Sequence, residues 1–388
     1  MRTNTEGLED ALWGGADFVA EVTSRWHLFG AVARLRRERR NGRGKSPHFL
    51  LRATSAGQRL LGESDIVGAV PMVAQVEQVR GPRPTKTRSD YQSWRRLAAV
   101  SRKFSEGPAV TFAVPTSVPI RAWSYLDPGK LPLRRLQVVV LDDGVGTYIP
   151  VPLRKRYQRA KARSQNQPDP SGGALERLKQ LVAQQTVRRI PVDHQRLFHG
   201  DRAGAQPARR LWNDYQWAVE TIGRDPGKAA KTWRGAIMYV SQPVSDYGIS
   251  YRQEMALLDD IQAAVRRARQ RLVVKLHPRQ VPQPYLDAGF PVVGGNLTVE
   301  EIVVADPPAA LVGLFSTALV SGPLLCPGLP SFALGSVLAD RTGSDLVADF
   351  ADLFKSRFSG ITDCPPSLPA WEDTAALAPA GQQQSTSP

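Results

Sequence analysis

Short apolar runs alternate along the chain with longer amphipathic stretches, a pattern that predicts strands and helices taking turns. Asp17–Ser24 (DFVAEVTS) reads as a strand, and Arg25–Arg40 as the helix after it, with Leu28, Val32 and Leu35 at helical spacing and Ser24 at the N-cap position. His48–Leu51, Ile66–Val70, Ala109–Val114 and Leu136–Leu141 are further strand candidates, with a helix-like segment at Tyr91–Ser105. The alternation lapses over residues 151–235, where the runs RKRYQRAKAR (154–163) and VRR (187–189) flank a Pro/Ser/Gly stretch at Pro168–Gly173. It resumes with the strand Ile237–Val240. Ser250 and Gln253 then form a capping box for a helix through about Arg269, with Tyr251, Met255, Leu258, Ile261 and Val265 on one face, followed by the strand Leu272–Leu276. Strands separated by helices pair in parallel and are covered on both faces. The expected organisation is an N-terminal α/β domain at 15–150, a basic inter-domain region with exposed helices at 151–235, a second α/β domain at 236–360 and a disordered tail at 361–388, with a cleft between the domains as the ligand site.

From Pro307 to Ala339 the chain runs 33 residues without a charge, long enough to cross a bilayer. Pro323, Pro327, Pro330 and several glycines interrupt it, so a buried strand, helix and strand is the expected form. The chain carries 51 Lys+Arg against 36 Asp+Glu, a net charge of +15. The excess is uneven: residues 1–150 carry +9, residues 151–235 carry +11, and residues 236–388 carry −5. A basic surface of this kind suits a polyanion such as nucleic acid, an anionic membrane or an acidic polymer, with a compositional preference for Arg as the plain alternative. Two cysteines, Cys326 and Cys364, and no Cys/His spacing argue against a disulfide framework or a zinc site. A polar N-terminus without an apolar run points to a cytoplasmic protein.

Three strand ends carry the candidate chemistry. Leu136–Leu141 ends in Asp142-Asp143-Gly144, at the edge where parallel sheets bind ligands. Adjacent residues of a strand point in different directions, so one carboxylate is expected to face the cleft and the other to make structural hydrogen bonds. Leu272–Leu276 ends in His277-Pro278-Arg279 after Lys275, a titratable imidazole between cations and suited to a phosphate. Ser316 and Thr317 lie between apolar segments, where a helix start would offer hydroxyls and amides to an anion, or where they would serve only as caps. Thr298 and Glu301 have the spacing of a capping box, which gives Glu300 and Glu301 a structural explanation as well. The chain has no glycine-rich phosphate loop, and its five histidines do not cluster as metal ligands.

Taken in order, VVVLDDGVGTY (138–148), LVVKLHPR (272–279) and GLFSTALV (313–320) resemble the D/E-D/E-G, HP and Ser/Thr motifs of bacterial sialyltransferases and alpha-2,8-polysialyltransferases. AEVTSRWHLFGAV (20–32) and MYVSQPVSDYG (238–248) support the likeness, which spans roughly residues 15–340. The resemblance implies two Rossmann-like domains facing a cleft (the GT-B type) and an inverting, metal-independent transfer of sialic acid or a related nonulosonate from a CMP-activated donor, without a cofactor. It implies Asp142 or Asp143 as general base, His277 acting on the CMP phosphate, and Ser316 and Thr317 as phosphate ligands. Lys275, Arg279 and Gln242 fall on the donor side. Glu300 stands near the family's acidic ribose ligand, but the usual preceding Pro is Thr298 here, so Glu300 and Glu301 are not distinguished. Ser24, Trp26 and His27 match the first loop and would face the acceptor.

The implied partners are CMP-sialic acid, an acidic glycan acceptor in capsule or surface polysaccharide synthesis, and the anionic inner face of a cell membrane. Alternatives are a different CMP-activated keto sugar acid as donor, a degenerate transferase kept as a binding partner, and a basic nucleic-acid-binding protein. The last is motivated by the runs at 34–45 and 154–163, but no recognised nucleic-acid motif accompanies them.

Overall fold

In the computed structural model the apolar runs become the strands of two parallel sheets. The structure describes residues 17–52, 61, 75–79, 110–114, 136–142, 144–164, 192–197, 209–225, 227–293, 297–358 and 362–363. The strand expected at Ile66–Val70, the helix at Tyr91–Ser105, the stretch Pro168–Gly173, the run 187–189 and Asp143 lie outside these residues.

The first sheet is built from β1 (Phe18–Val22), β2 (Pro47–Arg52), β3 (Gln75–Val79), β4 (Val110–Val114), β5 (Leu136–Val140) and β6 (Val192–His194), in the order β3-β2-β1-β4-β5-β6. The second contains β7 (Ile237–Val240), β8 (Leu272–Lys275), β9 (Val292–Val293), β10 (Ala310–Gly313), β11 (Ser331–Ala333) and β12 (Thr362–Asp363), in the order β12-β11-β10-β7-β8-β9. Read from the other edge, this is the same winding, and every pairing in both sheets is parallel. Each sheet therefore has the doubly wound Rossmann order, with its switch point at β1/β4 or at β7/β10.

The helices are α1 (Arg25–Arg40), α2 (Val145–Tyr148), α3 (Val151–Ser164), α4 (Arg209–Ile222), α5 (Tyr251–Arg267), α6 (Gln283–Asp287), α7 (Val299–Ala305), α8 (Ala318–Leu325), α9 (Gly335–Thr342) and α10 (Asp345–Arg357). Two compact units result, the first holding β1–β6, α1 and α4 and the second holding α2, α3, α5–α10 and β7–β12. Residues 151–235 are thus divided between them. Thr362–Asp363, within the segment expected as a tail, pair with β11.

Local chemistry explains the boundaries. Ser24 caps α1 by accepting from the His27 N–H, and Ser250 with Gln253 and Thr298 with Glu301 close full capping boxes on α5 and α7. The uncharged stretch 307–339 folds as β10, α8, β11 and the start of α9. Its strands are buried along their whole length, because residues covered on both faces need no polar side. Among the described residues no helix is long and apolar enough to cross a membrane.

The basic run 34–45 is largely engaged inside the first unit. Arg34 is buried between Glu38 and Asp193, Arg43 pairs with Glu38, and Arg36 and Arg40 reach Asp214 of α4. Arg36 also lies over the Trp217 ring, 4.2 Å from its centroid. These arginines hold α4 on α1, which removes much of the motive for reading them as a polyanion surface.

Candidate active site

In the second unit the loops after β7, β8 and β10 come together at the carboxyl ends of the strands. Ser241 and Gln242 end β7, and Gln242 Oε1 accepts from the Phe315 N–H at 2.8 Å, tying the β7 loop to the β10 loop across the switch point. The His277 N–H donates to Ser241 Oγ (3.1 Å) and to Gln280 Oε1 (3.2 Å). His277 Nδ1 accepts from the Arg279 N–H at 3.1 Å, so the proton of the neutral ring belongs on Nε2. Burial pushes the His277 pKa down to about 4, helped by Arg279, Lys275 and Lys161 and opposed by Asp246. Near neutral pH the imidazole is uncharged and offers an N–H.

Arg279 is held by the buried Asp246, whose Oδ2 accepts from the Arg279 guanidinium at 2.8 Å and from the Tyr157 hydroxyl at 3.1 Å. Lys161 Nζ lies 3.7 Å from the same oxygen. Asp246 sits in the 3-10 turn Val244–Tyr247, while Tyr157 and Lys161 stand four residues apart on one face of α3. The outer face of α3 exposes Arg154, Lys155, Arg156, Arg159 and Arg163. Tyr157 also meets the rings of Tyr247 (5.2 Å) and Phe350 (5.7 Å), seating α3 on the second sheet's unit. One buried carboxylate thus gathers an Arg and a Lys beside His277, and that excess of positive charge can hold a phosphate.

Lys275 is buried and donates to the Leu276 carbonyl. Burial lowers its pKa, and Glu300 and Glu301 oppose that shift, so Lys275 belongs to the interior beside α7. The structure separates the two glutamates. Glu301 accepts from the Thr298 N–H and the Arg224 N–H, a structural commitment. Glu300 is buried, accepts from the Ser321 hydroxyl at 2.7 Å, and has its pKa raised chiefly by burial. Ser316 Oγ accepts from the Ala318 N–H at the start of α8, whereas the Thr317 side chain makes no such cap.

Gly144 lies against Thr317. Its φ is +64°, in the left-handed region, and a Cβ there would collide with the Thr317 side chain. The Gly of the first motif therefore abuts the Thr of the third. Gly144→Ala is expected to destabilise the protein by at least about 1–2 kcal/mol from backbone strain alone, with the collision adding to that; chemical denaturation measures it.

In the first unit Asp142 is buried and its Oδ2 accepts from the Leu197 N–H at 2.8 Å, joining the ends of β5 and β6. Its carbonyl accepts from Trp26 Nε1 at 2.7 Å, and Trp26 packs on Tyr215. His27 is buried with Nδ1 2.7 Å from Thr23 Oγ1 and 3.1 Å from Ser24 Oγ. Ser24, Trp26, His27 and Asp142 thus form one cluster at the ends of β1 and β5.

Asp246, Gln280, Tyr157 and Lys161 are absent from the residues singled out by sequence. Asp246 stood inside the quoted 238–248 segment, and the i, i+4 spacing of Tyr157 and Lys161 was the available signal for the other face of a helix read only as charge.

Comparison with known proteins bears on the same segments. The Alpha-2,8-polysialyltransferase (POLYST) family matches over residues 133–332, just over half of the chain and including all three motifs. No curated protein matches by sequence. Among solved structures, the sialyltransferase from Photobacterium damsela is similar at 8% identity, over 90% of this chain and 81% of that one, with a TM-score of 0.42. A putative UDP-N-acetylglucosamine 2-epimerase from Listeria monocytogenes gives 9% identity, 88% and 91% coverage and a TM-score of 0.46. LpCGTa in complex with UDP gives 10%, 93% of both chains and 0.39. With its two Rossmann-wound units, the chain has the make-up of a GT-B glycosyltransferase, and by its sequence it belongs to the alpha-2,8-polysialyltransferase family, as a sialyltransferase-like glycosyltransferase.

Proposed function

We propose that the protein transfers sialic acid or a related nonulosonate from a CMP-activated donor to a glycan acceptor, with inversion and without a metal or other cofactor. The observation that carries this reading is the neutral His277 ring set beside Arg279 and Lys161, with Asp246 holding both cations. A departing phosphate needs charge stabilisation more than proton transfer, and these two cations with the Nε2–H of His277 supply it. The charge of the arriving phosphate raises the His277 pKa, strengthening the bond where it is needed. Ser316 and Thr317 extend the site with hydroxyls, Gln242 orients it, and Glu300, with Lys275 behind it, takes the donor ribose.

The acceptor hydroxyl is a poor nucleophile and needs a base. Asp142 is committed to the Leu197 N–H, so Asp143 takes that role. Ser24, Trp26 and His27 serve the acceptor side, the last two through the loop geometry they hold. A different CMP-activated keto sugar acid fits the same phosphate site, and donor screening by thermal shift separates it.

The exposed cations of α3 suit a polyanionic acceptor or the anionic inner face of a cytoplasmic membrane, consistent with assembly of an acidic capsule or surface glycan. Each such cation contributes about 1 kcal/mol at an anionic surface. Neutralising Arg154, Lys155, Arg156 and Arg159 together should weaken binding to phosphatidylserine vesicles by roughly a hundredfold or more, with donor KM unchanged. Unchanged vesicle binding and unchanged acceptor KM would make the charge compositional. The proposed activity is tested by CMP release from CMP-sialic acid in the presence of acidic and neutral glycan acceptors.

A further inference from the structure

We infer that Glu254 is a positioning residue for His277, acting through Tyr285 and Gln280. The inference rests on His277 being the group that meets the donor phosphate. The His277 backbone needs an acceptor, and Gln280 Oε1 provides one while also accepting from the Ser241 hydroxyl at 2.5 Å. Gln280 can do so only with its amide in one orientation, because the two ends of that amide have opposite hydrogen-bonding character. The orientation is set from the other end: Nε2 donates to the Gln242 carbonyl (2.9 Å) and to the Tyr285 hydroxyl oxygen (2.6 Å).

With Tyr285 accepting there, its own proton points to Glu254 Oε2 at 3.1 Å. Tyr239 donates to the other carboxylate oxygen at 3.3 Å. An ionised carboxylate only accepts, so Glu254 fixes the direction of the whole chain from α5 through α6 to the His-Pro turn. The geometry of that turn places the Arg279 N–H on His277 Nδ1 and so sets the ring tautomer. Glu254, Tyr285 and Tyr239 are 1%, 2% and 0% exposed, so none is placed to touch a substrate. A buried carboxylate carries a desolvation cost that an apolar side chain at the same place would not, and fixing the Gln280 orientation gives it a role.

Burial lifts the Glu254 pKa to about 7 against the lowering effect of the two tyrosines, so the assay is run well above that pH. Two readouts are compared in the full-length wild type, Tyr285→Phe, Glu254→Gln, Tyr239→Phe and His277→Ala: kcat and donor KM for CMP release from CMP-sialic acid, and the His277 ring tautomer by nitrogen-15 NMR, which needs no substrate. Tyr285→Phe and Glu254→Gln should lose about 10- to 100-fold in kcat, with donor KM nearly unchanged, and should give a mixed His277 tautomer. Tyr239→Phe removes a bond to the same carboxylate but lies off the path, so it should lower the melting temperature while keeping kcat and a single tautomer. If Glu254→Gln does not fold, Tyr285→Phe decides. Tyr285→Phe with a wild-type tautomer overturns the inference, as does a loss of kcat in all three variants that tracks melting temperature. Full turnover in His277→Ala, or no turnover in the wild type, instead defeats the assignment of His277, and the NMR readout still decides whether Glu254 positions its ring.

Discussion

Asp143→Asn should lower turnover about 100- to 10,000-fold, the range expected when a general base is removed, while Asp142→Asn should retain most of it. The two residues are neighbours of the same chemical type, so the comparison isolates role from charge. At Asp142 the amide still has an oxygen for the Leu197 N–H, and Trp26 bonds to the backbone carbonyl, which the substitution leaves in place. Asp142→Ala is a different matter. It leaves a buried N–H without its acceptor, at about 1–3 kcal/mol, so that variant should melt earlier and lose activity through stability. Steady-state CMP release together with thermal melting separates the cases, and Asp142→Asn with the larger catalytic loss would exchange the roles.

Replacing His277 with Ala should reduce kcat/KM for the donor by about 100- to 1,000-fold, comparable to losing one preorganised donor to a developing charge. His277→Asn retains a neutral N–H donor on a shorter side chain and should recover part of the loss. His277 itself should add no acid limb to the free-enzyme rate profile at the ordinary histidine pKa, because burial and neighbouring cations hold it near 4, and a fall near 7 belongs to Glu254. The effect on stability has the matching sign. The folded pKa is depressed, so between about 4 and the unfolded value of 6.5 the unfolded chain binds more protons at this residue and the contribution of His277 to stability rises with pH. The contribution is complete above 6.5 and lost as pH falls to 4, and it should appear as the difference between wild-type and His277→Ala melts taken across the range.

Much of this was legible in the chain. Strand ends at Asp142, His277 and Ser316 follow from apolar runs broken by polar residues, and the caps Ser24, Ser250 and Thr298 follow from spacing alone. Prolines and glycines correctly argued the 307–339 stretch into strands and short helices. What escaped is long-range. Which unit receives α3 depends on Tyr157 meeting Tyr247, Phe350 and Asp246, contacts between residues about 90 to 190 positions apart. The same limit hid Lys161 in a run of surface arginines and hid the pairing of Arg36 and Arg40 with Asp214. Glu300 and Glu301 are equivalent by sequence and became distinct only when Ser321 and Arg224 chose between them.

The central claim, a phosphate-directed transferase of CMP-activated sialic acid or a relative, is tested most directly by incubating the purified protein with CMP-sialic acid and an acidic glycan acceptor and following CMP release alongside the product. The account predicts CMP formed in step with glycan extension, the new bond inverted at the anomeric carbon. Acceptor-dependent turnover of a UDP-activated sugar with none of any CMP-activated sugar acid would contradict it.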